Sequence, residues 1–289
     1  MRHTTRLAAV PLALGALLAA AGQGAAAPAH APGTHPPAAT AATAAAGTKK
    51  GVSAWQFQGV SKALTNSRAG WFYTWSSGRL GIKAPRGVEF VPMIHDAGSV
   101  TKAELARAKK QGKTLLGFNE PDRGDQANMT VNRALDLWPR LQSTGLRLGA
   151  PSVATGGDTP GGWLDRFMKG AASRHYKVDF IPLHWYGGDF DAQRATGQLR
   201  GYLAAVHNRY HKPVWLTEYA LTDFSSGTAR YPTQAQQAAF VKKSTAMLRS
   251  LPYVKRYAWF TLSTSRGDGT GLYRGTRATK AGAAYRAVK

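Results

Sequence analysis

The chain has 289 residues, of which 38 are lysine or arginine and 15 are aspartate or glutamate, giving a formal net charge of +23. It contains no cysteine, which excludes disulfide scaffolds, thiol catalysis and cysteine-ligated metal sites. The length suits one large domain or two of ordinary size. The excess of positive charge favours an anionic surface or polymer as a neighbour but does not indicate a fold.

The N-terminus has the pattern of a targeting segment. Arg2 and Arg6 precede an apolar stretch over residues 7–20, and small residues follow it, which predicts a secretory signal peptide at residues 1–27. The stretch is too short for a membrane span, so we expect a secreted protein without one. Residues 28–49 are mostly alanine, proline, threonine and glycine and are predicted to be a disordered linker.

Residues 50–289 have the composition of one globular domain, in which short β-rich runs alternate with longer amphipathic stretches. Eight strands are predicted at residues 52–57, 70–75, 89–95, 114–119, 147–153, 178–185, 213–219 and 256–262. Helices are predicted at residues 101–111, 130–143, 198–210 and 233–251, the first beginning with a Thr101–Glu104 capping box. This alternation predicts a single α/β catalytic domain, a (β/α)8 TIM barrel. A doubly wound open sheet is the alternative, but it usually has fewer strands.

The chain contains four glutamates, and two of them have structural explanations, because Glu89 begins a strand and Glu104 lies in a helix cap. The other two, Glu120 and Glu218, end the predicted fourth and seventh strands. Catalytic residues of such barrels lie at the C-terminal strand ends. Either residue alone could form a salt bridge at the barrel rim. Together, facing each other across the barrel mouth, they fit the carboxylate pair of a retaining glycosidase.

Other strand ends carry side chains that suit a sugar-binding site. His184 and Tyr186 lie on one face of the sixth strand, from which the Tyr186 hydroxyl could donate a hydrogen bond to Glu218. Aromatic rings can stack on the C–H faces of sugars, and although a single ring is more often a core residue, clustering at the strand ends favours a sugar-binding role. The further candidates for substrate binding at strand ends are His95, Tyr73, Trp75 and Trp259.

Six short strings carry a resemblance to a known family, which extends from about residue 50 to the C-terminus. They are GVSAW at 51–55, WFYTW at 71–75, FVPMI at 90–94, GFNEPD at 117–122, LHWY at 183–186 and LTEYA at 216–220. The chain resembles glycoside hydrolase clan A, whose members carry Asn-Glu after strand four and a nucleophilic glutamate after strand seven. More narrowly, it resembles glycoside hydrolase family 128.

The resemblance implies a retaining enzyme that acts on β-1,3-glucan, with Glu120 as acid/base, Glu218 as nucleophile and Asn119 on the sugar 2-hydroxyl. We favour internal over terminal cleavage. Two carboxylates supply the proton and nucleophile chemistry, so we expect no cofactor and no metal. Related clan A families end strand two with an arginine near the nucleophile, which this chain lacks. We expect Tyr186 and His184 to supply the hydrogen bonds around Glu218 instead.

Two alternatives belong to other functional classes. One is a non-catalytic barrel that binds glucan or cell wall, and the other is a basic secreted nucleic-acid-binding protein. The lysines and arginines are spread along the whole sequence without a recognised nucleic-acid module, so we expect no specific nucleic-acid partner. His207 and His211 are spaced like a metal pair on a helix, but no third ligand accompanies them. We expect a monomer.

Overall fold

The computed structural model describes residues 48–264 and 269–288. The predicted signal peptide at residues 1–27 lies outside this part, and so does the predicted linker up to residue 47. Within the described ranges, no helix has both the length and the apolar character needed to cross a bilayer.

Eight parallel strands close into a barrel. They are β1 (Lys50–Ser53), β2 (Trp71–Tyr73), β3 (Glu89–Phe90), β4 (Thr114–Leu115), β5 (Arg147–Leu148), β6 (Ile181–Gly187), β7 (Val214–Leu221) and β8 (Val254–Trp259). One sheet has the order β3-β2-β1-β8-β7-β6, and β4 pairs with β5. Single parallel bridges, Met93–Leu116 and Gly149–Phe180, join these two sheets on either side. The predicted barrel is confirmed. A short antiparallel pair follows it, β9 (Tyr273–Arg274) and β10 (Arg277–Ala278).

Three of the predicted strands are much shorter than expected, namely those at residues 89–95, 114–119 and 147–153. Each pairs as a regular ladder for two residues and continues as an irregular segment with isolated bridges. Pro92 and Pro151 lie in the irregular parts and have no N–H to donate to a ladder. The approach of β4 to β5 also requires a glycine, because a Cβ on Gly117 would lie 2.8 Å from the Gly149 carbonyl oxygen.

Seven helices occur in the described residues. They are α1 (Val60–Ser67), α2 (Lys102–Gln111), α3 (Val131–Gln142), α4 (Trp163–Ser173), α5 (Ala192–Tyr210), α6 (Gln234–Ser250) and α7 (Lys280–Ala287). The sequence pattern predicted α2, α3, α5 and α6 and missed the other three. Helix α5 begins earlier than predicted, because the Asp191 carboxylate accepts hydrogen bonds from the backbone N–H groups of Gln193 and Arg194.

The Thr101 cap on α2 is present, since its hydroxyl oxygen accepts the Glu104 backbone N–H at 3.1 Å. The predicted capping box is only half formed. The Glu104 carboxylate accepts hydrogen bonds from Ser77 and Arg107 instead. A tertiary contact to the segment after β2 has therefore replaced the local reciprocal bond.

Strand alternation divides the apolar side chains into two sets. One set fills the barrel interior and consists of Trp71, Tyr73, Val91, Met93, Leu116, Phe180, Trp215 and Ala258. The larger set packs the outside of the strands against the helices. Since all eight strands run parallel, their C-terminal ends meet at one rim of the barrel, where the interior set gives way to polar side chains.

Candidate active site

Glu120 follows β4 in a tightly held turn. Its backbone N–H donates to the Ser152 carbonyl oxygen at 2.7 Å, and its own carbonyl oxygen accepts from the Arg123 N–H at 3.0 Å. The backbone φ of Glu120 is +42°, in the left-handed region that non-glycine residues rarely adopt. Such strain persists where surrounding bonds enforce it. In this turn the two backbone hydrogen bonds of Glu120 fix the direction in which its carboxylate points.

Glu218 lies within β7, next to an irregularity in the pairing with β6. Leu183 pairs with Leu216, but His184 pairs with Glu218, so Thr217 is an extra residue on the β7 side. Trp215 faces the barrel interior, and Leu216 and Tyr219 both face the helices. Strict alternation would turn Glu218 outward, and the extra residue restores its inward direction. The bulge therefore places the carboxylate beside His184.

Three buried side chains meet at the centre of the rim. They are Glu120, His184 and Glu218, and one carboxylate oxygen or ring nitrogen of each lies within 4.8 Å of those of the other two. His184 Nδ1 is 2.9 Å from Glu120 Oε1, and His184 Nε2 is 3.5 Å from Glu218 Oε1. The first contact is a hydrogen bond, whereas Nε2 has no hydrogen-bonding partner within the described part of the chain. The imidazole thus lies between two carboxylates on different strands.

Three further donors surround the Glu218 carboxylate. The Tyr73 hydroxyl and the Trp75 indole N–H donate to Oε1 at 3.0 and 2.7 Å. The Tyr186 hydroxyl donates to Oε2 at 2.5 Å. The expected bond from Tyr186 is therefore present, whereas the bond expected from His184 is not formed, because its Nε2 lies 3.5 Å from Glu218 Oε1 without a hydrogen bond. Tyr73 and Trp75, predicted as sugar contacts, hold the carboxylate itself in place of the missing strand-two arginine.

The pKa values of the neighbours fit these roles. Burial, followed by the negative charge of Glu218, raises the pKa of Tyr73 and Tyr186 well above the usual 10.0, so both hydroxyls remain donors. Burial by itself lowers the pKa of His184, but the charges of Glu218 and Glu120 and the hydrogen bond to Glu120 outweigh burial. The net pKa is raised above the usual 6.5.

The Glu120 carboxylate has a different set of partners. Arg123 Nε lies 3.6 Å from Glu120 Oε2, and the same guanidinium holds Asp125 at 2.9 Å. Asn119 is buried and donates from Nδ2 to Gln126 Oε1 at 3.2 Å, which leaves its Oδ1 without a hydrogen-bonding partner in the described residues. Arg123 and Gln126 were not predicted from the sequence, where their only signal was their position in the loop that follows Glu120.

His95 is close to the site but does not contact either glutamate in the contacts that the structure shows. Its Nδ1 is 3.3 Å from Asp96 Oδ2, and this pairing is the largest cause of a lowered pKa of Asp96. Its carbonyl oxygen accepts the Asn119 N–H at 2.8 Å. His95 therefore supports the strand that carries Asn119, while its imidazole is partly exposed at the rim.

Trp259 requires a correction. It has no exposed surface, and its indole N–H donates to the Thr270 carbonyl oxygen at 2.7 Å. Its ring packs against Tyr219 at 5.0 Å, on the helix side of the barrel. The neighbouring Ala258 takes the inward position on β8. A sugar cannot reach Trp259, so the prediction that it binds substrate is wrong.

A row of aromatic side chains, which we call the aromatic wall, lines the site. It consists of Trp55, Trp75, Phe260, Tyr186 and Phe224, of which only Trp75 and Tyr186 were predicted. Trp55 stacks on Trp75 at 6.0 Å with an interplanar angle of 26°, and both rings are half-buried. Phe260 lies 5.9 Å from Trp75 and 5.5 Å from Tyr186. Phe224 extends the wall beyond Tyr186 at 5.7 Å. Half-buried rings at a cleft suit the apolar faces of sugar rings.

Glu120, His184 and Glu218 are also the only group in the described residues with the composition and spacing for a metal ion. Both imidazole nitrogens already face a carboxylate. The arrangement is that of a proton-handling site, in which His184 shares a hydrogen bond with Glu120 and faces Glu218 with its other nitrogen.

Comparisons with known proteins identify the family of the chain. The family model described as "Glycosyl hydrolase catalytic core" matches residues 51–285. The chain belongs to glycoside hydrolase family 128. It is a glycoside hydrolase with the barrel of that family.

Two solved structures and one curated relative illustrate the family. A subgroup I endo-β-1,3-glucanase from Amycolatopsis mediterranei, bound to laminaritriose, is 67% identical with a TM-score of 0.82, covering 83% of this chain and 99% of that one. A subgroup III curdlan-specific exo-β-1,3-glucanase from Blastomyces gilchristii, bound to glucose, is 27% identical with a TM-score of 0.64, covering 82% and 98%. Alkali-sensitive linkage protein 1 of Schizosaccharomyces pombe is 31% identical over 74% of this chain, which spans only 38% of that relative.

Proposed function

We propose that this enzyme cleaves internal bonds of β-1,3-glucan with retention of anomeric configuration. The observation that carries the proposal is the opposed pair Glu120 and Glu218, whose carboxylate atoms approach within 4.8 Å at the C-terminal rim. Retaining glycosidases have carboxyl groups about 5 to 5.5 Å apart, whereas inverting enzymes leave room for a water between them. The endo-acting neighbour at 67% identity supports the substrate and the internal cleavage.

In the first step Glu218 attacks the anomeric carbon and forms a glycosyl ester. Glu120 donates its proton to the glycosidic oxygen, which leaves as a hydroxyl on the departing sugar. In the second step the deprotonated Glu120 takes a proton from water, and the resulting hydroxide attacks the anomeric carbon. Glu218 leaves as a carboxylate, and Glu120 ends the cycle protonated again.

The environment of each glutamate suits its role. Three donors reach Glu218, from Tyr73, Trp75 and Tyr186. An ionised carboxylate only accepts hydrogen bonds, so this arrangement matches a charged nucleophile. Glu120 instead shares a 2.9 Å hydrogen bond with His184. A proton held in that contact can pass to the leaving group without neutralising Glu218.

The test is incubation of the full chain with β-1,3-, β-1,4- and β-1,6-glucans, with the products resolved by size over time. We expect a mixture of short oligosaccharides from β-1,3-glucan alone, and Glu218→Gln as the inactive control. Release of glucose from the start would contradict internal cleavage. Absence of products from all three glucans would favour the non-catalytic glucan-binding alternative.

We also propose that the protein is secreted. The support is the sequence pattern at residues 1–27 and the position of β1, which begins at Lys50 after the predicted linker. Sequencing the N-terminus of protein recovered from the culture medium tests this, with a start between residues 25 and 32 expected. An intact N-terminus on cell-retained protein would contradict it.

A further inference from the structure

The N-terminal ends of the barrel strands meet at the rim opposite the active site, which we call the basal rim. A lysine or arginine lies at or just before the start of nearly every strand, and in β8 the two cations follow its first residue. These cations are Lys49, Lys50, Arg68, Arg86, Lys113, Arg147, Lys177, Lys212, Lys255 and Arg256. Cations that are scattered in the sequence are therefore gathered in space.

Carboxylates have the opposite distribution. At the strand starts that the structure describes, the acids are Glu89, paired with Arg256 at 2.5 Å, and Asp179, paired with Lys177 at 3.5 Å. The strand C-terminal ends and the loops that directly follow them carry Asp96, Glu120, Asp122, Asp125, Asp189, Asp191, Glu218 and Asp223. The barrel is thus electrostatically polarised along its axis.

Helix capping explains some of the basal cations. Lys49 Nζ donates to the Leu251 carbonyl oxygen at 3.0 Å, at the end of α6, and Lys50 Nζ donates to the Val288 carbonyl oxygen at 2.7 Å, after α7. Cations at helix C-termini are favourable. This does not account for four exposed cations, Arg68, Arg86, Lys113 and Lys255, none of which has a carboxylate within ion-pair distance among residues 48–264 and 269–288.

The positive charges at this rim repel one another. Burial, and then the charges of Arg68 and Arg249, lower the pKa of Lys50 to about 8. Burial, and then Lys255 and Arg249, lower the pKa of Lys49. No acid contributes to either shift. An anionic partner at this rim would relieve the repulsion and gain counterion release.

We propose that the basal rim binds a flexible linear polyanion of the polyphosphate type and turns the catalytic rim away from it. The cations lie around the starts of the strands, and none of them lies within a described helix that could present it to a nucleic-acid groove. The exposed large hydrophobic side chain of the described residues is Leu80 alone, so membrane insertion has no platform here. The half-buried Tyr253 at this rim already stacks on His207 at 4.2 Å. This inference does not depend on the catalytic assignment.

Fluorescence anisotropy of the full chain with labelled inorganic polyphosphate tests the proposal. The basal variant carries Arg68→Gln, Arg86→Gln, Lys113→Gln and Lys255→Gln. A matched control removes two arginines and two lysines from the exposed helix surfaces elsewhere, as Lys102→Gln, Arg133→Gln, Arg200→Gln and Lys242→Gln. Hydrolysis of soluble β-1,3-glucan checks that both variants are folded.

We expect the basal variant to bind polyphosphate at least about tenfold more weakly and the control to change by less than about twofold, with affinity falling steeply as salt rises. Equal losses in the two variants would show that only net charge matters and would overturn a localised site. Absence of wild-type binding at about 0.15 M salt would overturn it as well. Tighter binding to duplex DNA than to polyphosphate would replace the proposed partner by nucleic acid.

Discussion

The two glutamates at the C-terminal rim, Glu218 and Glu120, differ in the number and kind of side chains that bind their carboxylates. Glu218 receives three hydrogen bonds from aromatic side chains on β6 and at the end of β2. Glu120 receives one contact from His184 at 2.9 Å and a longer one from Arg123 at 3.6 Å. Both side chains are largely buried. The difference therefore lies in the number and chemistry of partners rather than in burial.

Because of this difference in partners, the Glu218 carboxylate is held in place by hydrogen bonds, whereas the Glu120 carboxylate can exchange a proton. Neutral aromatic donors satisfy Glu218 without offering it a readily transferred proton, because the pKa of each tyrosine is raised by burial and by the carboxylate itself. His184 is the only titrating partner that can share a proton with Glu120 at hydrogen-bonding distance in the described site. Two carboxylates in one cleft acquire different roles when their partners differ in this way.

The largest effect should come from Glu218→Gln. The amide keeps the shape of the side chain but cannot attack the anomeric carbon, so kcat on β-1,3-glucan should fall by about 10⁴-fold or more. Oligosaccharide binding, measured by calorimetry, should persist because the aromatic wall is unchanged. Near-normal turnover would remove Glu218 from the nucleophile role.

Replacement of the other carboxylate, Glu120→Gln, should cost about 10² to 10⁴-fold on glucan, the range typical of a lost general acid. An aryl glycoside with a very acidic leaving group needs no protonation, so its first step should lose much less rate in burst kinetics. Equal losses with both kinds of substrate would contradict the acid role.

A smaller effect should follow Tyr186→Phe, which deletes one of the three donors to Glu218 and keeps the ring in the wall. We expect kcat to fall by about 10- to 100-fold, comparable to the loss of one strong hydrogen bond to a charged group. Thermal melting should change little. Tyr253→Phe is the control, since Tyr253 is half-buried beside His207 and directly precedes β8 at the opposite rim. Unchanged kcat in Tyr186→Phe would show that its bond to Glu218 is dispensable.

The smallest expected effect is a pH dependence of stability that arises from His184. Its folded pKa lies above the usual 6.5, so its protonated form stabilises the folded state. That contribution is complete below pH 6.5 and is lost as the pH rises through the folded pKa. Urea unfolding from pH 5 to 9 should show the gap between wild type and His184→Asn shrinking with rising pH. Replacement of the exposed His175 by asparagine is the control. A stability difference that grows with pH would contradict a raised pKa of His184 in the folded state.

The sequence predicted the barrel and both carboxylates because these depend on local patterns. Apolar runs marked the strands, and Glu120 and Glu218 were the glutamates at strand ends. Trp259 does end β8, but it was misplaced because its side chain faces the helices while the neighbouring Ala258 faces the barrel interior. The inward or outward direction of a side chain depends on register, which alternation alone does not define.

Other features required tertiary information that no local pattern contains. The extra residue Thr217 alters the phase of β7, and a bulge leaves no reliable mark in one sequence. Tyr73 and Trp75 were found as aromatic strand-end residues, but their bonds to Glu218 depend on the packing of β2 across the barrel from β7. Trp55 belongs to one of the six family strings, but only its stacking on Trp75 in the structure shows that it is part of the aromatic wall.

The most direct test of the central claim, that Glu218 and Glu120 act as nucleophile and acid/base, is the anomeric configuration of the first product. Proton NMR of a β-1,3-oligosaccharide digest, recorded before mutarotation, distinguishes the two possibilities. A double displacement through Glu218 predicts that the β-anomer of the new reducing end appears first and then equilibrates. Initial appearance of the α-anomer would mean direct attack by water and would contradict the account.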